Sequence, residues 1–178
     1  PEGVGYTVTE NLDTTVYEGY ANAGITYSDS SHKIVDQKEH TVTVENTYTA
    51  PKKSLTITKK RADGSAAFPG DANTFPIYVK LGKEGTYQVS VNGGTPSNLN
   101  VSSVSTAVKV ADLGENGKVV ISGIPQGTTY EVSEDLSDSR YVNYTKPAVI
   151  TNGTGTISSE NEVTVTNKYT APEIAKGS

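Results

Sequence analysis

Hydrophobic and polar residues alternate along most of this chain. In "LTITK" (55–59), Leu55, Ile57 and Lys59 share one face while Thr56 and Thr58 share the other. That period of two belongs to a strand with one buried side. "FPIYVKL" (75–81) aligns Phe75, Ile77, Val79 and Leu81. "TYQVSV" (86–91) and "TAVKVADL" (106–113) read as further strands, and "GKVVISGI" (117–124) as another that runs into a Pro125-Gln126-Gly127 turn. "TYEVSE" aligns Tyr130, Val132 and Glu134, and "EVTVTN" aligns Val163, Val165 and Asn167, with a turn at "NGTG" (152–155) before it. No segment sustains a helical period. The pattern predicts an all-β chain, a Greek-key sandwich of the immunoglobulin-like kind.

The chain repeats itself. "VENTYTAP" (44–51) returns as "VTNKYTAP" (165–172), and "GVGYTVTENL" (3–12) returns in "QGTTYEVSED" (126–135). Tyr6, Val8 and Glu10 align with Tyr130, Val132 and Glu134, an offset of 134 − 10 = 124. For Asn46 and Asn167 it is 167 − 46 = 121. A period this long is a domain repeat, not a solenoid repeat. The opening "SLTITKKRADG" of the second unit has no counterpart in the first. The expected organisation is therefore the C-terminal part of one domain at 1–50, a linker at 51–54, a complete domain at 55–169 and a tail at 170–178. The start at Pro1-Glu2-Gly3, without a signal peptide, reads as a piece of a longer protein.

Three polar residues interrupt apolar faces. Lys59 continues the face of Leu55 and Ile57, Glu134 that of Tyr130 and Val132, and Asn167 that of Val163 and Val165. A strand often ends on a polar residue because it has reached solvent, and buried Lys and Glu are rare. Three cases in one unit fit that explanation poorly, and Glu and Asn recur as Glu10 and Asn46. A chemical explanation covers all three. Burial favours the uncharged forms of an amine and a carboxyl. A neutral Lys is a nucleophile, a protonated Glu can shuttle protons, and proximity raises the rate of attack on the Asn amide. The product is a Lys–Asn isopeptide bond between the first and last strands, with ammonia released. Strand parity selects Lys59 over Lys60, which should face outward with Thr56 and Thr58; a bulge would reverse that choice. Glu10 and Asn46 lack a lysine from an opening strand of their own. The missing strand would come from the intact protein or from another chain, and Lys176 in the tail is a further candidate donor.

Composition narrows the function classes. The net charge of −5 offers no basic patch for nucleic acid, and no apolar run approaches membrane-spanning length. With no cysteine, a disulfide cannot lock the fold. His32 and His40, the only histidines, have no Cys or paired acid at ligand spacing, so neither a metal nor another cofactor is expected. "DLSDS" (135–139) and "PGDAN" (69–73) read as turns instead of calcium loops. No Ser-His-Asp or Cys-His grouping suggests a turnover enzyme.

In order, "LTITKK", "GIPQGTTYEVSED" and "EVTVTNKY" resemble the B-type repeat domains of Gram-positive surface adhesins and pilins, the collagen-adhesin B-like domains. The resemblance covers 55–169 as a whole domain and 1–50 as the tail of another. It implies an isopeptide bond between Lys59 and Asn167, catalysed by Glu134, with Glu10 and Asn46 as the first-unit equivalents. It also implies a stalk or shaft segment of a cell-wall-anchored, extracellular protein. The partners would be neighbouring domains of the same protein, and the only chemistry a single autocatalytic turnover. Force would then pass through a covalent bridge. The alternative reading is a binding module presenting loops, with 82–106 as the natural place, to a host matrix protein or glycan. A spacer domain of an extracellular carbohydrate enzyme is a third.

Overall fold

A computed structural model describes residues 3–10, 20–28, 33, 34 and 40–174 of the chain; His32 and Lys176 lie outside them. The chain divides into two compact units with the break between Pro51 and Lys52.

The first unit holds β1 (Ala21–Tyr27) and β2 (Val44–Thr49), paired antiparallel with Tyr27 opposite Val44. An isolated antiparallel bridge joins Gly5 to Lys33.

Among its described residues the second unit carries ten strands: β3 (Lys52–Arg61), β4 (Thr74–Leu81), β5 (Gly85–Val91), β6 (Ser97–Val101), β7 (Val108–Gly114), β8 (Lys118–Pro125), β9 (Thr129–Glu134), β10 (Val149–Thr151), β11 (Thr154–Thr156) and β12 (Glu162–Asn167). They form a six-stranded sheet in the order β10-β12-β3-β8-β5-β6 and a four-stranded sheet in the order β11-β9-β4-β7. Every connection except the β5–β6 hairpin carries the chain from one sheet to the other. The fold is an all-β sandwich, as the alternation predicts. Its first and last strands, β3 and β12, lie side by side and parallel, with Lys59 opposite Val165.

Alternation builds the interior. Leu55, Ile57, Val119, Ile121, Val163 and Val165 from the larger sheet join Ile77, Val79, Leu81, Leu113 and Val132 from the smaller in one buried core. Parity breaks in β8, where Ile121 and Ile124 are both buried although three residues apart. Gly123 between them takes a φ of 81°, and the β3 register slips opposite it between Lys53 and Leu55. A left-handed residue at a bulge returns the strand to the inward face, and glycine does so without strain.

Some boundaries differ from expectation. Lys52 and Lys53 pair with Pro125 and Ile124, so most of the expected 51–54 linker is the first part of β3. Region 82–106 is not a loop: β5 and β6 form a hairpin in it, with Tyr87, Val89, Leu99 and Val101 buried. Glycine, serine, threonine and asparagine are common there because the hairpin's outer face is polar, with Gln88 bonded to Asn98 and Thr86 to Asn100. At 152–155 the turn is confined to Asn152 and Gly153, and the strands it joins belong to different sheets. Strand β7 starts at Val108, two residues later than its pattern suggests.

Because Ile121 is fully buried between sheets, Ile121→Ala should leave a cavity and cost about 2–5 kcal/mol. A matching shift of the guanidinium midpoint, followed by circular dichroism, checks this.

Candidate functional site

The three polar residues singled out by parity meet inside the second unit. Lys59 comes from β3 and Asn167 from the end of β12, neighbours in the larger sheet, while Glu134 reaches in from the end of β9 in the smaller one. Lys59 and Asn167 have no solvent exposure. The Glu134 side chain is 1% exposed, so the accessible part of that residue is main chain.

Glu134 connects the other two. Its Oε1 accepts from Lys59 Nζ at 2.7 Å, and its Oε2 accepts from Asn167 Nδ2 at 2.8 Å. Asn167 Oδ1 is buried and accepts no hydrogen bond among the described residues. Lys60 lies outside this group: its ammonium donates to Asn116 Oδ1 on the exposed face.

An aromatic cap closes this end of the sandwich. The ring centroid of Phe75 lies 4.0 Å from Lys59 Nζ. Phe75 stacks on Tyr141 at 5.4 Å and meets Phe68 and Tyr144 edge-on at 5.2 and 5.1 Å. Tyr169, two residues beyond Asn167, packs on Tyr144 at 5.1 Å. The hydroxyls are satisfied: Tyr141 donates to the Thr74 carbonyl at 2.6 Å and Tyr144 to that of Ala72. Burial pushes the Tyr144 phenol up to about 12.

This environment acts on the amine. Burial lowers the Lys59 pKa from 10.5 to about 8, with the charge and hydrogen bond of Glu134 working in the opposite direction. The neutral amine is therefore readily reached at mildly alkaline pH, on a carboxylate that also holds the Asn167 amide nitrogen. Unperturbed, an exposed lysine would be almost wholly protonated there.

The first unit repeats part of the arrangement. Asn46 Nδ2 donates to Glu10 Oε1 at 2.8 Å and Oε2 at 2.7 Å. Asn46 Oδ1 is buried and accepts no hydrogen bond among the described residues, and no described lysine joins the pair.

Parity identified Lys59, Glu134 and Asn167, but it missed the aromatic cap. The available signal was slight: both phenylalanines of the chain, Phe68 and Phe75, lie in it. The acidic loops are hydrogen-bonded turns, with Asp135 accepting from the Ser137 amide and Asp138 from that of Arg140. His40 is half-buried, four residues before β2.

The chain matches the family model described as a domain of unknown function (DUF7601) over residues 53–169, and it belongs to that family. No curated protein matches it in sequence. Among solved structures it is similar to the major pilin protein T3.2 from Streptococcus pyogenes, with 14% identity and a TM-score of 0.49 over 90% of this chain and 65% of that one. It is also similar to the pilus-presented adhesin Spy0125 (Cpa), with 19% identity and a TM-score of 0.46 over 65% of this chain and 27% of that one. The T-13 major pilin from Streptococcus pyogenes gives 17% and 0.46, over 86% and 62%. The chain thus spans less than two thirds of each of these proteins. With every TM-score below 0.5, the chemistry has to come from the residues themselves.

The depressed Lys59 pKa has a thermodynamic sign. Between about 8 and 10.5 the unfolded chain binds a proton that the folded chain does not, so stability rises with pH across that window. Asn167→Ala removes the amide and leaves the amine to titrate. Its stability relative to Asn167→Ala/Lys59→Met should rise by about 3 kcal/mol from pH 7 to pH 11. Urea unfolding at several pH values measures the difference, and a flat profile would mean that Lys59 is not desolvated.

Proposed function

We propose that the second unit is a self-locking structural domain of an extracellular surface protein, in which Lys59 and Asn167 join in an isopeptide bond under catalysis by Glu134. One observation carries this reading: a single buried carboxylate holds the amine on one oxygen and the amide nitrogen on the other. Moving a proton from Lys59 to Glu134 converts a buried ion pair into two neutral groups, the form that burial favours. The free amine then attacks Asn167 Cγ. The Nζ–Cγ bond forms and the Cγ–Nδ2 bond breaks. Glu134 accepts in turn the two protons that Nζ sheds and passes both to Nδ2, which leaves as ammonia carrying the extra proton, an ammonium ion. Nothing is oxidised or reduced, and Glu134 ends as it began. The Phe75 ring excludes water from the amine.

The position of the bond suits a load-bearing role. It ties the first strand to the last, so tension entering along β3 crosses to the end of β12 without loading the strands between them. A shaft segment of a surface adhesin or pilus uses such a property directly. The closed loop also restricts the unfolded chain; by analogy with a disulfide across a loop of this length, that is worth roughly 4–5 kcal/mol.

Intact mass of the denatured chain tests the chemistry. Each bond releases one ammonia, so the chain should be about 17 Da lighter than its sequence mass. Asn167→Ala, Lys59→Arg and Glu134→Ala should each show no loss, whereas Lys60→Ala should retain it. Full sequence mass in folded wild-type protein would defeat the proposal. Asn167→Ala should also unfold at lower temperature than wild type, measured by calorimetry at neutral pH.

A further inference from the structure

On the outer face of the smaller sheet, β4, β7 and the segment after β9 enclose a polar cleft of about 490 Å³. Clefts of this size hold small ligands. No described residue of 82–106 lines it. Two local features of the chain build it.

The first is a bulge in β7. Lys109 and Asp112 are three residues apart, so strict alternation would send them to opposite faces. Ile77 and Tyr78, however, stand opposite Ala111 and Lys109, which leaves Val110 as an extra residue. The bulge turns Lys109 outward, where its Nζ meets Asp112 Oδ2 at 2.8 Å. Re-aiming a side chain beside a functional site is a recurrent use of bulges. The floor of the cleft is then two cross-strand pairs, Tyr78 opposite Lys109 and Pro76 opposite Asp112.

The second feature is the wall, residues 135–141, whose shape is held by its own hydrogen bonds. Asp135 Oδ1 accepts from the Ser137 amide at 2.9 Å. Asp138 Oδ1 accepts from the Arg140 amide at 2.9 Å and from Arg140 Nε at 3.1 Å. The Tyr141 hydroxyl fastens the end of the wall to β4 through the Thr74 carbonyl. The cleft is thus formed without a ligand.

Its chemistry selects what it can hold. Both cations are already paired, Lys109 with Asp112 and Arg140 with Asp138, yet the four side chains remain 47–54% exposed. A charged ligand would have to break one of these pairs. A hydroxyl group both donates and accepts, and each pair offers a donor and an acceptor side by side. Asp135 adds a further acceptor, and the half-buried Tyr78 adds a ring with an apolar face and a polar tip. We propose that this cleft is a binding site for a neutral saccharide, one hexose or N-acetylhexosamine unit. Its hydroxyls would lie between the Lys109–Asp112 and Asp138–Arg140 pairs, with a C–H face against Tyr78.

The test titrates the isotope-labelled chain, followed by amide NMR, with glucose, galactose, mannose, N-acetylglucosamine and N-acetylgalactosamine in turn. At least one should give saturable shifts confined to β4, β7 and residues 135–141, with the millimolar dissociation constant expected of a ligand this small. Tyr78→Ala and Lys109→Gln should each weaken that binding about tenfold or more. Lys80→Gln, on β4 but bonded to Glu131 outside the cleft, should leave it unchanged. The amide spectrum of each variant reports that it folds, whatever the outcome for the Lys59–Asn167 bond. No saturable shift at the cleft with any of the five sugars overturns the site. Saturable shifts there with lysine methyl ester or acetate, and none with the sugars, overturn the assignment to a neutral saccharide.

Discussion

A lysine amine with no access to water, held against one carboxylate, is the constraint around which the second unit is arranged. Leaving either charge without the other would be far costlier than keeping the pair. The pair also has to be sealed, and the strands meet that need from both sides. β3 brings the amine and β12 the amide, side by side in one sheet, while β9 brings the acid across from the other. The aromatic cluster fills the remaining space, and the Tyr141 and Tyr144 hydroxyls turn back to main-chain carbonyls instead of to Glu134. The same burial that makes the amine an awkward core residue lowers its pKa toward the neutral form.

Much of this was legible in the sequence because a strand's period is two. The faces of β3, β9 and β12 could be counted outward from Leu55, Tyr130 and Val163, and the count ends on Lys59, Glu134 and Asn167. It holds because these strands are regular up to the site. Where a bulge intervenes, as at Gly123, counting alone puts Ile124 on the wrong face. The cap lay beyond reach for a different reason. Phe75 is only the first residue of the β4 alternation, and its approach to Lys59 depends on how the two sheets register. Tyr141 ends a single 3-10 turn (Ser139–Tyr141) and Tyr144 follows it in irregular chain, too short a stretch to show a period. Composition misled at 82–106, where small polar residues suggested a loop but mark the outer face of a hairpin. At 52–54 the strand begins before its alternation does.

The repeat was visible as text, and its meaning is clearer in three dimensions. The first unit repeats the Glu–Asn contact, with Asn46 Nδ2 donating to both oxygens of Glu10 where Asn167 Nδ2 donates to one of Glu134. Among the described residues the contact stands without a lysine beside it. Unlike Asn167, Asn46 is only half-buried.

Lys59, Glu134 and Asn167 are far apart in the chain and divided between two sheets. No local fragment can bring them together, and a register slip of one residue in any of the three strands would turn its group toward solvent. A bond made there is a covalent record that all three strands found their places. Because the proposed bond releases ammonia, the record would not be erased when the fold later opens. The domain would thus inspect its own assembly once and keep the result for the lifetime of the chain.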